Sequence, residues 1–124
     1  MNKPFSILLV DDDADTRNIF KMVMEHHRLP LKITANAEEA LDYLKTNLPE
    51  IIILDIFLPG MDGYQTLNRI RRDALAPHAR FVATTAYHTA DTQHEVLARG
   101  FNGYLPKPLN SSMLVSYLQQ LINS

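Results

Sequence analysis

The chain of 124 residues carries 12 basic and 14 acidic side chains for a formal net charge of -2, with 46% apolar residues, 21% charged residues and no cysteine. These are the proportions of one ordinary globular domain. They exclude a disulfide framework, a thiolate centre and a basic field broad enough to hold nucleic acid or an anionic membrane.

The first thirteen residues, MNKPFSILLVDDD, contain an apolar run too short for the core of a signal peptide. No stretch approaches the roughly 20 apolar residues of a membrane span. A cytoplasmic protein with no direct nucleic-acid or membrane contact is therefore expected, and the lack of cysteine fits a reducing compartment.

Five short β-type runs alternate with five amphipathic ones. Ile7 to Val10 reads as the first strand, and a helix from about Ala14 to Arg28 follows, with Ile19, Met22 and Val23 expected on its inner face. Leu31 to Ala35 is a second strand. Asn36, with Glu39 three positions on, resembles a capping arrangement for a helix carrying Ala40, Leu41 and Leu44.

The third strand is the most informative. Ile51, Ile52, Ile53 and Leu54 are apolar on both strand faces, as in a central parallel strand, and they run into Asp55 and a turn containing Pro59, Gly60 and Gly63. A helix from about Gly63 to Arg72 then carries Leu67 and Ile70. Phe81 to Thr85 is the fourth strand, and the fourth helix, from near Thr89 to Arg99, stops at Gly100. Phe101 to Leu105 is the fifth strand, placed at a sheet edge by Pro106. Asn110 caps a last helix with Met113, Leu114, Tyr117, Leu118 and Leu121 at helical spacing.

Strict β/α alternation implies an α/β fold with a doubly wound parallel sheet. Right-handed crossovers put all the strand carboxyl ends on one edge, where such sheets bind their ligands. That edge receives Asp11, Asp12, Asp55, Thr85 and Lys107. Crowded carboxylates do not all ionise cheaply without a compensating cation, so the cluster calls for a divalent metal. Mg²⁺ suits few protein carboxylates and several waters; zinc would want His or Cys, and none of the five histidines has ligand spacing. All five are taken as solvated or packing residues. Asp13 and Asp15 are assigned to capping and dipole compensation of the first helix.

A carboxylate beside Mg²⁺, with a hydroxyl and an ammonium to hold further oxygens, can attack a phosphoryl group and become an aspartyl phosphate. The metal and Lys107 would neutralise charge on the transferring oxygens. Four motifs in this order, LLVDDD, LDIFLPGMDG, TTA and GYLPKPL, give the chain a resemblance to the receiver domains of two-component response regulators along essentially its whole length.

The resemblance implies a (βα)5 flavodoxin-like sheet with strand order 2-1-3-4-5. It implies that Asp55 is phosphorylated by a histidine kinase or histidine phosphotransfer protein, in a phosphorelay whose receiver catalyses its own phosphorylation and dephosphorylation. Asp12 would bind Mg²⁺, or Mn²⁺ in its place, directly, Asp11 mainly through water, and the backbone carbonyl of Phe57 would complete the protein ligands alongside Asp55. Thr85 would be the switch hydroxyl, with Thr84 as its rival, Tyr104 the switch aromatic, and Lys107 the lysine that pairs with phosphate. The Lys107-Pro108 bond would be cis. A downstream protein would dock on the face of the fourth helix, fifth strand and fifth helix, and phosphorylation could also drive dimerisation through the switch.

Phe57 and Tyr87, in two variable positions flanking the site, are both large aromatics. Rings that exclude water there, with no acid or amide to orient it, imply a slow loss of the phosphoryl group; rings turned to solvent would have no effect. Two other readings compete. A haloacid-dehalogenase-type phosphatase also uses an aspartate and Mg²⁺, but Asp15 stands where that family has Thr or Val, and no cap domain is present. A flavodoxin-like FMN module cradles phosphate in a Ser/Thr/Gly loop, whereas this first loop is rich in carboxylates. With the chain ending at Ser124, a receiver without an output domain is expected, acting alone or as a fragment of a longer protein.

Overall fold

Ile51 to Leu54 have no solvent exposure, because a strand that is apolar on both faces must be covered from both sides. A computed structural model describes residues 4–124 of the chain. Its strands are β1 (Ile7–Val10), β2 (Leu31–Thr34), β3 (Ile51–Asp55), β4 (Arg80–Thr85) and β5 (Gly103–Pro106), and its helices are α1 (Ala14–His26), α2 (Ala37–Leu44), α3 (Gly63–Arg72), α4 (Thr92–Ala98) and α5 (Ser111–Asn123). The strands form one parallel sheet in the order β2-β1-β3-β4-β5, as the resemblance implied.

Alternation along each strand feeds two separate cores. Leu8, Val10, Ile52, Leu54 and Ala83 meet Ala40 and Leu44 of α2, Leu67 and Ile70 of α3 and Val96 of α4. Ile7, Leu9, Ile51, Ile53 and Val82 meet Phe20, Val23 and Met24 of α1 and Leu114 and Leu118 of α5. Each Val, Leu, Ile, Phe or Met side chain among them, removed from water, contributes about 1.5–3 kcal/mol. The register then levels the strand ends. Val10 pairs with Leu54 and Asp55 with Thr84, so Asp11, one residue past β1, comes level with Asp55.

The inner face of α1 is Thr16, Phe20, Val23 and Met24, a stripe at positions i, i+4, i+7 and i+8. Met22 lies on the opposite side and is 60% exposed, so its expected burial is corrected; Phe20 and Met24 fill the role instead. Met113 is likewise 60% exposed, one position off the buried Leu114 and Leu118 of α5. Helix α4 begins a turn later than expected. The Thr89 N–H donates to Thr92 Oγ1 at 2.8 Å and the Asp91 N–H to Thr89 Oγ1 at 3.3 Å, local bonds that compete with helix.

Strand β5 also starts late, because the Phe101 N–H donates to the Val96 carbonyl and closes the end of α4 beside Gly100. Asn102 then bridges the gap through its side chain, which accepts from the Phe81 N–H at 2.8 Å. As expected, β5 is an edge strand and holds Pro106. Its Tyr104 N–H donates to the Tyr117 hydroxyl at 2.8 Å, so a residue of the α5 apolar spacing also satisfies the open sheet edge.

Candidate functional site

Each acidic residue of the first loop has its own task. The Asp13 side chain accepts from the Thr16 N–H at 3.0 Å and the Thr16 hydroxyl at 2.7 Å, which makes it the N-cap of α1. These two bonds, the hydroxyl first, hold its carboxyl below the usual range. Asp15 lies in the first turn, where a negative charge suits the helix dipole. Asp11 is completely buried, and its Oδ1 accepts from the Asp13 N–H at 2.9 Å. Asp12 is exposed.

The β3–α3 loop shapes the other side. Phe57 N–H donates to Asp55 Oδ1 at 3.0 Å, folding the chain around a carboxylate that is itself only 7% exposed. Gly63 lets the start of α3 pack onto that loop: a Cβ there would lie 2.6 Å from the Asp55 carbonyl oxygen and 2.8 Å from the Ile56 Cα. The Gly63 N–H meets the Ile56 carbonyl at 2.9 Å, and Asp62 and Gln65 close a capping box over the helix end.

Lys107 joins the two carboxylates. Its Nζ is 3.0 Å from Asp11 Oδ2, 3.3 Å from Asp55 Oδ2 and 4.0 Å from Asp13 Oδ2. Burial opposes the Lys107 charge, but the hydrogen bond and attraction from Asp11, with those from Asp55, outweigh it and leave the ammonium pKa above its ordinary value. Burial also raises the Asp11 carboxyl; the Asp13 N–H and Lys107 pull it back, and the neighbouring Asp55 charge adds to the rise. The Lys107-Pro108 peptide bond is cis.

Ligand oxygens of Asp11, Asp12 and Asp55 lie within 4.8 Å of one another. Asp11 Oδ2 is wholly shielded and, although it pairs with Lys107 by distance, it receives no aligned hydrogen bond. Three carboxylates against one ammonium leave excess negative charge, and a buried carboxylate oxygen wants a further cationic partner. All-oxygen donors of this kind fit a hard divalent cation that keeps several of its waters. The cleft above them has a volume of about 580 Å³ and is lined by Asp12, Asp55, Lys107, Phe57, Tyr87 and Thr16, among others.

The two threonines separate by what their hydroxyls do. Thr84 Oγ1 donates to the Leu105 carbonyl at 2.6 Å. Thr85 Oγ1 accepts from the Tyr87 N–H at 3.0 Å and keeps its own proton for another acceptor. Tyr104 pairs with Ala83 across β4, on the same sheet face as Thr85, and packs into the core with its hydroxyl shielded and unpartnered. Burial first, then the nearby Tyr64, raises the Tyr104 hydroxyl pKa. Sequence reasoning missed His88, assigned with the other histidines to solvent or packing; its Nε2 lies 3.1 Å from the Lys107 carbonyl. Nothing in its spacing pointed there.

The pattern of the response regulator receiver domain matches residues 7–119. The chain belongs to the response regulator receiver domain family. This receiver is 33% identical to Response regulator Rre1 of Synechocystis sp. over 98% of its own length and 53% of that relative's, so it spans about half of that protein. A crystal structure described as that of a response regulator from Chloroflexus aurantiacus J-10-fl superposes with a TM-score of 0.88 at 30% identity, covering 98% of this chain and 100% of that one. The receiver domain of the sensor histidine kinase PA1611 from Pseudomonas aeruginosa PAO1, solved with a magnesium ion in its active-site cleft, gives 0.85 at 25% identity over 98% of this chain and 100% of that one. As a receiver of this family the protein is a signalling domain of phosphorelays, and the phosphatase and FMN readings find no support. Among the described residues, no helix is long and apolar enough to cross a membrane.

Proposed function

We propose that Asp55 is the phosphoacceptor of this receiver and that the chain catalyses its own phosphorylation. The observation that carries the reading is Lys107 Nζ, placed between Asp55 Oδ2 and Asp11 Oδ2 at 3.3 and 3.0 Å. An Asp55 oxygen attacks the phosphorus of a phosphohistidine; the O–P bond forms, the N–P bond breaks, and the electron pair leaves on the imidazole nitrogen of a histidine kinase or phosphotransfer protein. Attack of water on the same phosphorus later releases phosphate and restores the carboxylate.

Mg²⁺, with Mn²⁺ as a substitute, would be held by Asp12, Asp55 and the Phe57 backbone carbonyl, with Asp11 acting mainly through water. When bound, the ion offsets charge on the transferring oxygens. Lys107 pairs with one phosphoryl oxygen and the Thr85 hydroxyl donates a hydrogen bond to another. No strong base is required, since a carboxylate is already a nucleophile. Thr85 and Tyr104 share a sheet face, which supports a switch that alters the α4–β5–α5 surface offered to a downstream protein or a second copy. We place this work in the cytoplasm, in keeping with a chain that has no cysteine.

Labelling with acetyl phosphate tests the reading. The parent chain takes one phosphate in Mg²⁺ and none in excess chelator, and Asp55→Asn takes none, because an amide is not a nucleophile. One phosphate on Asp55→Asn by mass spectrometry, or labelling undiminished by the chelator, would refute it.

A further inference from the structure

The backbone of Lys107 is clamped on both of its polar groups. Its N–H donates to the Thr85 carbonyl at 3.0 Å, and its carbonyl lies 3.1 Å from His88 Nε2. A carbonyl only accepts, so Nε2 carries the proton in this contact. Both clamps come from the end of β4 and the loop just after it. Pro108, which follows Lys107, has no N–H with which to tie the chain down from the other side.

His88 stands three residues past Thr85 and directly after Tyr87. The Tyr87 N–H donates to Thr85 Oγ1, and the Tyr87 ring packs on Phe57. One short segment therefore touches the free hydroxyl, the rings that flank Asp55, and the peptide that carries the lysine. Lysine's four-carbon stem has large rotamer freedom, so holding its Cα and peptide plane narrows the positions its Nζ can reach. That Nζ is the group found between Asp11 and Asp55.

We propose that His88 is a positioning residue, whose Nε2–H straps the β4–α4 loop to the Lys107 carbonyl and so aims the lysine at the acceptor. Its effect on phosphoryl transfer rests on the reading of Asp55 as that acceptor. A displacement of the β4 end is then passed to the β5–α5 turn through a side-chain bond, in addition to the ladder between the strands.

The test compares the parent with His88→Ala and His88→Gln, since the glutamine amide can offer an N–H at the place of Nε2. Long-range ¹H–¹⁵N spectra at about pH 8, above the ordinary imidazole range, should show the resting parent as the Nε2–H tautomer. Lys107 carbonyl and amide resonances should shift in His88→Ala and return in His88→Gln. Labelling by acetyl phosphate in Mg²⁺ should slow about three- to tenfold in His88→Ala, the kinetic equivalent of one net hydrogen bond, and lie within about twofold of the parent in His88→Gln. An Nδ1–H tautomer, a His88→Ala variant that labels like the parent, or a His88→Gln variant as slow as His88→Ala overturns the strap. A parent that takes no label on Asp55 refutes the acceptor reading instead. The Lys107 resonances then decide alone: rescue by glutamine upholds the strap and unchanged resonances overturn it.

Discussion

The rings of Phe57 and Tyr87 meet edge to face, with centroids 5.3 Å apart and planes at 84°, and both line the cleft that holds Asp55. They are 57% and 77% exposed, so they turn largely to solvent and yet touch each other. On the proposed role of Asp55 as phosphoacceptor, we expect this pair to stand in the way of water that attacks in line. Edge-to-face pairs are worth about 0.5–1.5 kcal/mol, so Phe57→Asn or Tyr87→Glu should speed decay of the phosphorylated protein roughly two- to tenfold. Phosphate release is the measurement, and unchanged decay in both variants would mean that the rings do not guard the site.

Thr85→Ala should still accept phosphoryl on Asp55 but lose the coupling to Tyr104. NMR shifts that phosphorylation induces on α4, β5 and α5 should shrink in this variant; shifts equal to the parent's would break the proposed link. Thr84→Val is the contrasting change. It removes the 2.6 Å donor of the partly buried Leu105 carbonyl and should cost about 0.5–1.5 kcal/mol in denaturant unfolding, with the induced shifts retained.

Gly63→Ala should lower stability by about 1–3 kcal/mol and slow labelling of Asp55. The added carbon would collide with backbone at 2.6 and 2.8 Å, and backbone does not yield as a flexible side chain does. Moving α3 back moves the loop that wraps the acceptor. Denaturant unfolding together with the acetyl phosphate rate checks both effects, and a variant equal to the parent in both would contradict this packing argument.

Asp13→Ala should cost about 1 kcal/mol near neutral pH through loss of the α1 cap. The Asp13 carboxyl is held below its ordinary value of 3.8, so its contribution is present above that value and lost as pH falls through the lower folded one. The gap in stability between parent and variant should thus close in acid. A gap that persists well below pH 3.8 would show that the carboxylate is not what stabilises the helix.

Much of this was legible from local chemistry. The unbroken apolar run of Ile51 to Leu54, the acid that ends it and the regular β/α alternation determined a central strand, a parallel sheet and a common edge for Asp11, Asp12, Asp55, Thr85 and Lys107. Side-chain period is a property of near neighbours, and it survives without tertiary information. Where several faces of one helix were apolar, local pattern misplaced Met22 and Met113, because burial is decided by which face the sheet meets. The resemblance favoured Thr85 over Thr84 as the switch hydroxyl, but that Thr84 spends its proton on the Leu105 carbonyl is visible only in the assembled sheet. His88 and Lys107 lie 19 residues apart and share no periodicity. Their contact, like that of Phe57 with Tyr87, exists because parallel strands bring the loops at their carboxyl ends together, and that proximity belongs to the assembled sheet.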